Sequence, residues 1–195
     1  MEIVKGIGFL FCAVKLHMDS INKNQPEENY ASLSGAAAIE KIKTLTENAG
    51  TCFFCTRITE ELEIKTRPMA MQEMDEQGNL WFLSARDSYK NKEITQDPSV
   101  QLFFQGSAHS DFLSLYGKAT ISTDKAKIDA LWKPLLKTWF TEGKDDPRIT
   151  AIKVTPVSGY YWDNKHGDAV AFIKMVAGAV TGKTLDDSIE GRLTV

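Results

Sequence analysis

The 195 residues carry 23 Lys and Arg against 26 Asp and Glu, a formal charge of -3, with 43% hydrophobic and 25% charged residues. That is the length and composition of one ordinary globular domain, without the basic excess of a surface that tracks nucleic-acid phosphates. Three cysteines, odd in number and sparse, argue against a disulfide scaffold and for a reducing, cytoplasmic compartment.

Ile7 to Val14 is an apolar run between Lys5 and Lys15. It is too short to span a bilayer, and no small-residue signal cleavage site follows it. Met18 opens a polar segment to Ser34 and would itself serve as a protein start. Residues 1–17 therefore read as an upstream extension, with a real extra strand or helix as the alternative, and residues 1–35 are expected to be poorly ordered. Ser34 or Gly35 caps a helix whose Ile39, Ile42 and Leu45 share a face and which Gly50 ends. Thr51 to Ile58 reads as a strand. Residues three apart in a strand point to opposite faces, so Cys52 and Cys55 are expected to be ordinary strand cysteines rather than a redox or zinc pair. His17, His109 and His166 are scattered, and no metal site is expected.

Glu60, Glu61 and Glu63 mark a solvated hairpin end. Thr66 to Met71 is a strand whose Pro68 cannot donate to a ladder, which places it at an edge or bulge. The turn Asp75 to Asn79 is expected to pair it antiparallel with Leu80 to Ser84, bringing Arg67 toward Ser84. A short helix begins near Ser88 and closes at Asp97-Pro98, before a strand Val100 to Gln105. Ser84, Ser88 and Lys90 surround the helix start, where unpaired N–H groups and the dipole favour an anion. The residues alone fit either a phosphate pocket or a Ser-capped helix with a solvated Lys.

Asp111 to Ser122 is a long strand with a bend at Gly117. Asp124 caps a helix through Leu131, interrupted at Pro134, and Glu142 to Pro147 form a loop. Ile149 to Val154 and Val157 to Asp163 read as two strands separated by Pro156, Ala169 to Val180 as a helix, and residues 186–195 as a polar tail. The domain over 36–185 is expected to be mainly β with peripheral helices, an antiparallel barrel.

Arg67-Pro68-Met69, Leu80-Trp81-Phe82-Leu83-Ser84, Asp87-Ser88-Tyr89-Lys90, Gly117-Lys118-Ala119, Leu131-Trp132, Trp139-Phe140, Asp146-Pro147 and Tyr161-Trp162-Asp163 occur in that order. The ordered set resembles the general stress protein family of FMN-binding split barrels, related to pyridoxamine 5'-phosphate oxidase. The resemblance implies a six-stranded antiparallel split β-barrel and a homodimer with FMN in a cleft between subunits. It assigns the phosphate to Arg67 and Lys90, with hydrogen bonds from Ser84 and Ser88. Met69, Phe82 and Leu83 would lie along the ring and ribityl chain, Asp111 and Phe112 would reach the flavin from the partner subunit, and Trp139 and Trp162 would close the cleft. From the residues alone, Arg67 also fits a pair with a surface carboxylate, although its place before Pro68 and opposite Ser84 favours the ligand; Met69, Phe82 and Leu83 fit core packing equally well, and the two Trp fit a structural role. The oxidase carries an Arg-Lys pair where this chain has Tyr89-Lys90, and ends in an Arg-x-His motif that Gly191 to Val195 lack, so vitamin B6 oxidation is not expected. Two functions remain: an FMN-dependent oxidoreductase acting on a small molecule, or a non-catalytic flavin-binding stress protein serving as sensor, carrier or reservoir. A flavin-like ligand such as a deazaflavin, or haem, is a third possibility. Neither nucleic acid nor membrane is expected as a partner.

Overall fold

The computed structural model describes residues 29–58, 64–181 and 187–195. In chain order these form β1 (Leu33–Ser34), α1 (Ala36–Ala49), β2 (Thr51–Thr56), β3 (Lys65–Ala70), β4 (Glu73–Met74), β5 (Leu80–Ala85), α2 (Tyr89–Gln96), β6 (Ser99–Gln105), β7 (Phe112–Ser122), α3 (Lys125–Leu131), β8 (Ile149–Asn164), α4 (Asp168–Thr181) and β9 (Ser188–Thr194). Two 3-10 turns, Pro134–Thr138 and Gly143–Asp145, follow α3. The expected N-terminal extension over 1–17 and the acidic hairpin end at Glu60 to Glu63 lie outside the described residues.

The long strand β8 organises the sheet. One edge pairs with β7. The other takes β5 along Ile149 to Val154 and β9 along Ser158 to Asn164. Pro156 sits between these two partners, where no neighbour needs its missing N–H, and the β7 register shifts opposite it between Tyr116 and Gly117. The two strands expected around Pro156 are therefore one. Gly117 is needed there, because a Cβ would stand 2.7 Å from the Thr155 carbonyl oxygen.

The sheet runs β1-β9-β8-β7-β6-β2-β3, with β5 on β8 and β4 on β5. All pairs are antiparallel except β1 with β9. The architecture is mainly β with a few helices, and its nine described strands form one mixed sheet rather than a closed barrel. The polar tail is instead β9, in which Ile189, Gly191 and Leu193 alternate with polar residues. Gly191 permits the close approach of the segment before β1: a Cβ there would fall 1.9 Å from the Ala31 carbonyl oxygen.

The hairpin expected from the Asp75 to Asn79 turn is short. Asp75 does accept from the backbone N–H groups of Gln77 and Asn79 and from the Trp81 indole, yet β4 and β5 pair only at Glu73–Trp81 and Met74–Leu80. Upstream, the Met71 N–H donates to the Gly50 carbonyl while the Gln72 N–H donates to that of Trp81. At these two residues the chain changes partner, and β3 pairs with β2, placing Arg67 opposite Phe54. Arg67 and Ser84 are thus not ladder neighbours. They face one another across a gap between β3 and β5.

Strand alternation builds the core. Phe54, Phe82, Leu102, Leu113, Leu115, Ile152 and Val154 point inward and are fully or almost fully buried, with Phe54 and Phe82 edge to face at 5.4 Å. Each such side chain contributes roughly 1.5–3 kcal/mol of transfer free energy. The α1 face of Ala38, Ile42 and Leu45 joins this core, and Gly50, at φ 64, ends the helix with its N–H on the Thr46 carbonyl. A second cluster, Leu83, Ile128, Leu131, Phe140, Ile149 and Ala151, packs α3 and the 3-10 turns against β5 and β8. Cys52 and Cys55 are free and buried. Among the described residues no helix is long and apolar enough to cross a membrane.

Candidate functional site

The unpaired gap between β3 and β5 is a cavity of about 570 Å³. One end is polar. Arg67 comes from β3, Ser84 from the end of β5, and Lys90 from the first turn of α2. The start of α2 is fixed by a closed set of hydrogen bonds. Ser84 and Thr150 are register partners on β5 and β8, and the Thr150 hydroxyl donates to the Ser84 carbonyl at 2.9 Å. The Asn91 amide donates to the Thr150 Oγ1 at 2.8 Å, while the Ser84 hydroxyl donates to the Asn91 Oδ1 at 2.9 Å. Ser88 caps the helix through the Asn91 N–H, and its hydroxyl lies 3.1 Å from that of Ser84. The rest of the lining is mostly apolar, with Met69, Leu83, Leu136, Trp139 and Phe140.

Charge is concentrated at the polar end. Burial and the neighbouring Arg67 guanidinium hold the Lys90 ammonium below its usual value, partly offset by Glu93. Among the described residues Lys90 has no hydrogen-bond partner. Arg67 donates to the Thr56 Oγ1 at 2.7 Å and to the Glu93 Oε2 at 2.8 Å. Burial pushes the Glu93 carboxyl up, but hydrogen bonds from Thr56 and Arg67 outweigh it and leave it below the usual carboxylate value. Two neighbouring cations at a partly desolvated wall, with hydroxyls beside them, match the needs of a bound anion.

Of the residues singled out in the sequence, Arg67, Met69, Leu83, Ser84, Lys90 and Trp139 line this cavity, with Ser88 hydrogen-bonded just behind Ser84. Phe82 is enclosed in the core against Phe54. Phe112 and Trp162 are cross-strand partners and line a second cavity of about 490 Å³ on the outer sheet face, together with Phe53 and Phe103. No charged side chain lines it. Thr51 and Pro68 border both cavities. Asp111 lines neither; it adopts φ 57, and its carbonyl accepts from the Gly106 N–H to close the β6–β7 turn. Sequence reading missed Thr56, Glu93, Asn91 and Thr150. Glu93 had a signal, since it stands three residues after Lys90 on one helix face. Among the described residues no group of three or more His, Cys, Asp or Glu could hold a metal.

A family model described as pyridoxamine 5'-phosphate oxidase like matches residues 37–186. A structure from Jannaschia sp. CCS1 assigned as a general stress protein 26 has a TM-score of 0.68 at 22% identity, covering 80% of this chain and 97% of that chain. The general stress FMN/FAD binding protein from Xanthomonas citri is 25% identical with a TM-score of 0.52, covering 61% of this chain and 83% of that one. The protein bli-3 of Neurospora crassa is 27% identical over 137 residues, and the match spans 66% of each chain.

Proposed function

We propose that this chain, which belongs to the pyridoxamine 5'-phosphate oxidase like family, binds FMN in the cavity between β3 and β5 and acts as a flavin-dependent oxidoreductase on a small molecule. The observation that carries this reading is the partly desolvated Lys90 beside Arg67 in a cavity whose lining is otherwise mostly apolar. FMN has that same polarity, a phosphate dianion on a chain that ends in a planar ring. The cavity volume of about 570 Å³ falls within the roughly 300–1,000 Å³ typical of cofactor sites, and the related Xanthomonas citri protein is described as FMN/FAD binding.

In this reading Arg67 and Lys90 hold the phosphate, the Ser88 hydroxyl donates to its oxygens, the Ser84 hydroxyl does so by leaving the Asn91 Oδ1 to which it donates without ligand, and Met69, Leu83 and Trp139 flank the remainder and exclude water. Phe82 contributes through its backbone, its side chain being committed to the core. The mixed sheet is a split β-barrel of six antiparallel strands with β1, β4 and β9 added, and its opening is the cofactor cavity. A second copy docks on the outer aromatic face, where Phe53, Phe103 and Trp162 are 59%, 45% and 44% exposed, an apolar patch of the kind that marks interfaces. The homodimer brings Asp111 and Phe112 of the second copy to the cofactor. Bound FMN supplies the redox chemistry, and the chain supplies binding, orientation and a dry pocket. The protein works in the cytoplasm.

The second reading is a flavin-binding stress protein without turnover. It is favoured by the lack, among the described residues lining the cavity, of any His, Cys, Asp or Glu to move a proton. Mixing the flavin-loaded protein with NADH or NADPH under anaerobic conditions and then admitting an acceptor separates the two. Repeated bleaching and recovery of the flavin absorbance supports the enzyme; no reduction by either donor supports the carrier or sensor.

A further inference from the structure

We infer that Thr56 and Glu93 are positioning residues for the phosphate site, holding the Arg67 guanidinium at the cavity wall from behind and balancing its charge until an anion binds. The inference rests on the reading that the cavity takes a phosphate ester. Neither residue lines the cavity. Thr56, at the end of β2, is fully buried. Glu93 lies on α2, three residues after Lys90.

The three groups form a triangle. The Thr56 hydroxyl donates to the Glu93 Oε2 at 2.5 Å. The hydroxyl has only one proton, so its lone pairs are left for Arg67, which donates to it at 2.7 Å and to the same carboxylate oxygen at 2.8 Å. A guanidinium carries five N–H donors in a fixed plane, and binding two of its nitrogens from one side leaves the other donors for the cavity. A free Arg side chain samples many rotamers. Anchored by two groups on two different elements, this one meets a ligand with most of that freedom already removed.

Glu93 has a second effect. Arg67 and Lys90 repel one another, and Glu93 is the carboxylate that acts on both, opposing the loss of charge at Lys90 while ion-paired to Arg67. Arg57 also faces Glu93 and lowers its carboxyl. The charged groups that act on Lys90 are thus Arg67 from β3 and Glu93 from its own helix. The triangle keeps two cations together in a half-buried wall, where an incoming phosphate finds both.

An internal ion pair that merely ties β2, β3 and α2 together would show the same distances, so the test must separate orientation from packing. FMN and riboflavin are titrated into flavin-free protein, followed by quenching of flavin fluorescence, for the parent, Thr56→Val and Thr56→Ser. Thr56→Val keeps the bulk and loses the hydroxyl, and is expected to weaken FMN about tenfold, the scale of one hydrogen bond to a charged group, while riboflavin is unchanged. Thr56→Ser keeps the hydroxyl and stays within about twofold of the parent, since that bond is preserved. Equal FMN affinity in Thr56→Val and parent overturns the inference, as does an equal loss for both ligands. Should Thr56→Val fail to fold, Glu93→Gln decides: FMN affinity begins to fall at a lower pH than in the parent, because Lys90 has lost the carboxylate that favours its proton. Superimposable pH profiles overturn the inference. A parent that binds FMN no better than riboflavin refutes the phosphate site itself, and the positioning role falls with it.

Discussion

Lys90→Met removes one charge and keeps the length of the apolar stem, and the site predicts effects of opposite sign on binding and on folding. In the ligand-free protein the ammonium is partly desolvated, lies beside Arg67 and has no hydrogen-bond partner among the described residues. Its protonated form is disfavoured by folding, a penalty present below the depressed value and relieved only as pH rises toward the ordinary 10.5. The substitution removes that penalty, so the melting temperature without ligand should hold or rise. A phosphate dianion reverses the balance, because the lost contact is a charge-assisted hydrogen bond worth roughly 1.5–3 kcal/mol. FMN should bind about 10- to 150-fold more weakly at neutral pH. Riboflavin has no phosphate and should be unaffected. Titration calorimetry with both ligands, and thermal melts without either, give the three numbers. Equal losses for FMN and riboflavin would deny a phosphate contact at Lys90, and a ligand-free melting temperature several degrees lower would deny a strained cation there.

Three further outcomes follow from other parts of the chain. The buried Asp187 accepts from the His166 N–H at 3.0 Å and from the Lys174 ammonium at 2.7 Å; burial pushes its carboxyl up, but the hydrogen bonds from His166 and Lys174 bring it down to about 2. Its stabilisation is therefore present above the ordinary 3.8 and lost as pH falls toward 2, so Asp187→Asn should cost up to about 2 kcal/mol at pH 7 and nothing near pH 2, as read by urea melts at both values. Gly191→Ala drives a methyl into the Ala31 carbonyl and should destabilise by roughly 1–3 kcal/mol, with amide exchange accelerated first in β9; an unchanged urea midpoint would refute the close approach. Burial, then the nearby Cys55, pushes the Cys52 thiol up to about 12, so at pH 8 an alkylating reagent should leave Cys52 unlabelled in the native protein and label it after denaturation, as mass spectrometry would show.

Local rules read well where local chemistry decides. The α1 stripe and Gly50 stop, the Asp124 cap, which accepts from the Ala126 and Lys127 N–H groups, and the Asp75 turn all stand as their residues suggest. The misreadings share one cause, a partner far away in sequence. Pro156 looks like a strand break until it is seen in the gap that β5 and β9 leave between them on one edge of β8. The stretch Ser188 to Thr194 looks like a polar tail because only Ile189 and Leu193 mark its inner face, and its pairing with β8 comes from tertiary contact rather than propensity. The pairing of β3 with β2 agrees with the hairpin end suggested by the acidic stretch, but the partner change at Met71 and Gln72 that keeps β3 off β5 is announced by no local pattern. At the candidate site, Ser84 and Lys90 stand out by residue type and helix position, and Arg67 by the family resemblance. Thr56 and Asn91 do not, because a Thr ending a strand and an Asn inside a helix acquire their roles only when β2, α2 and β8 are packed together.

An FMN phosphate at Arg67 and Lys90 would show first in the absorption spectrum of the purified protein, with the released chromophore identified after denaturation. A flavin spectrum and about one FMN per chain are expected, lost on purification of an Arg67→Ala, Lys90→Met double variant that remains folded. A colourless protein that also fails to take up added FMN, or a double variant that retains FMN in full, would contradict that assignment.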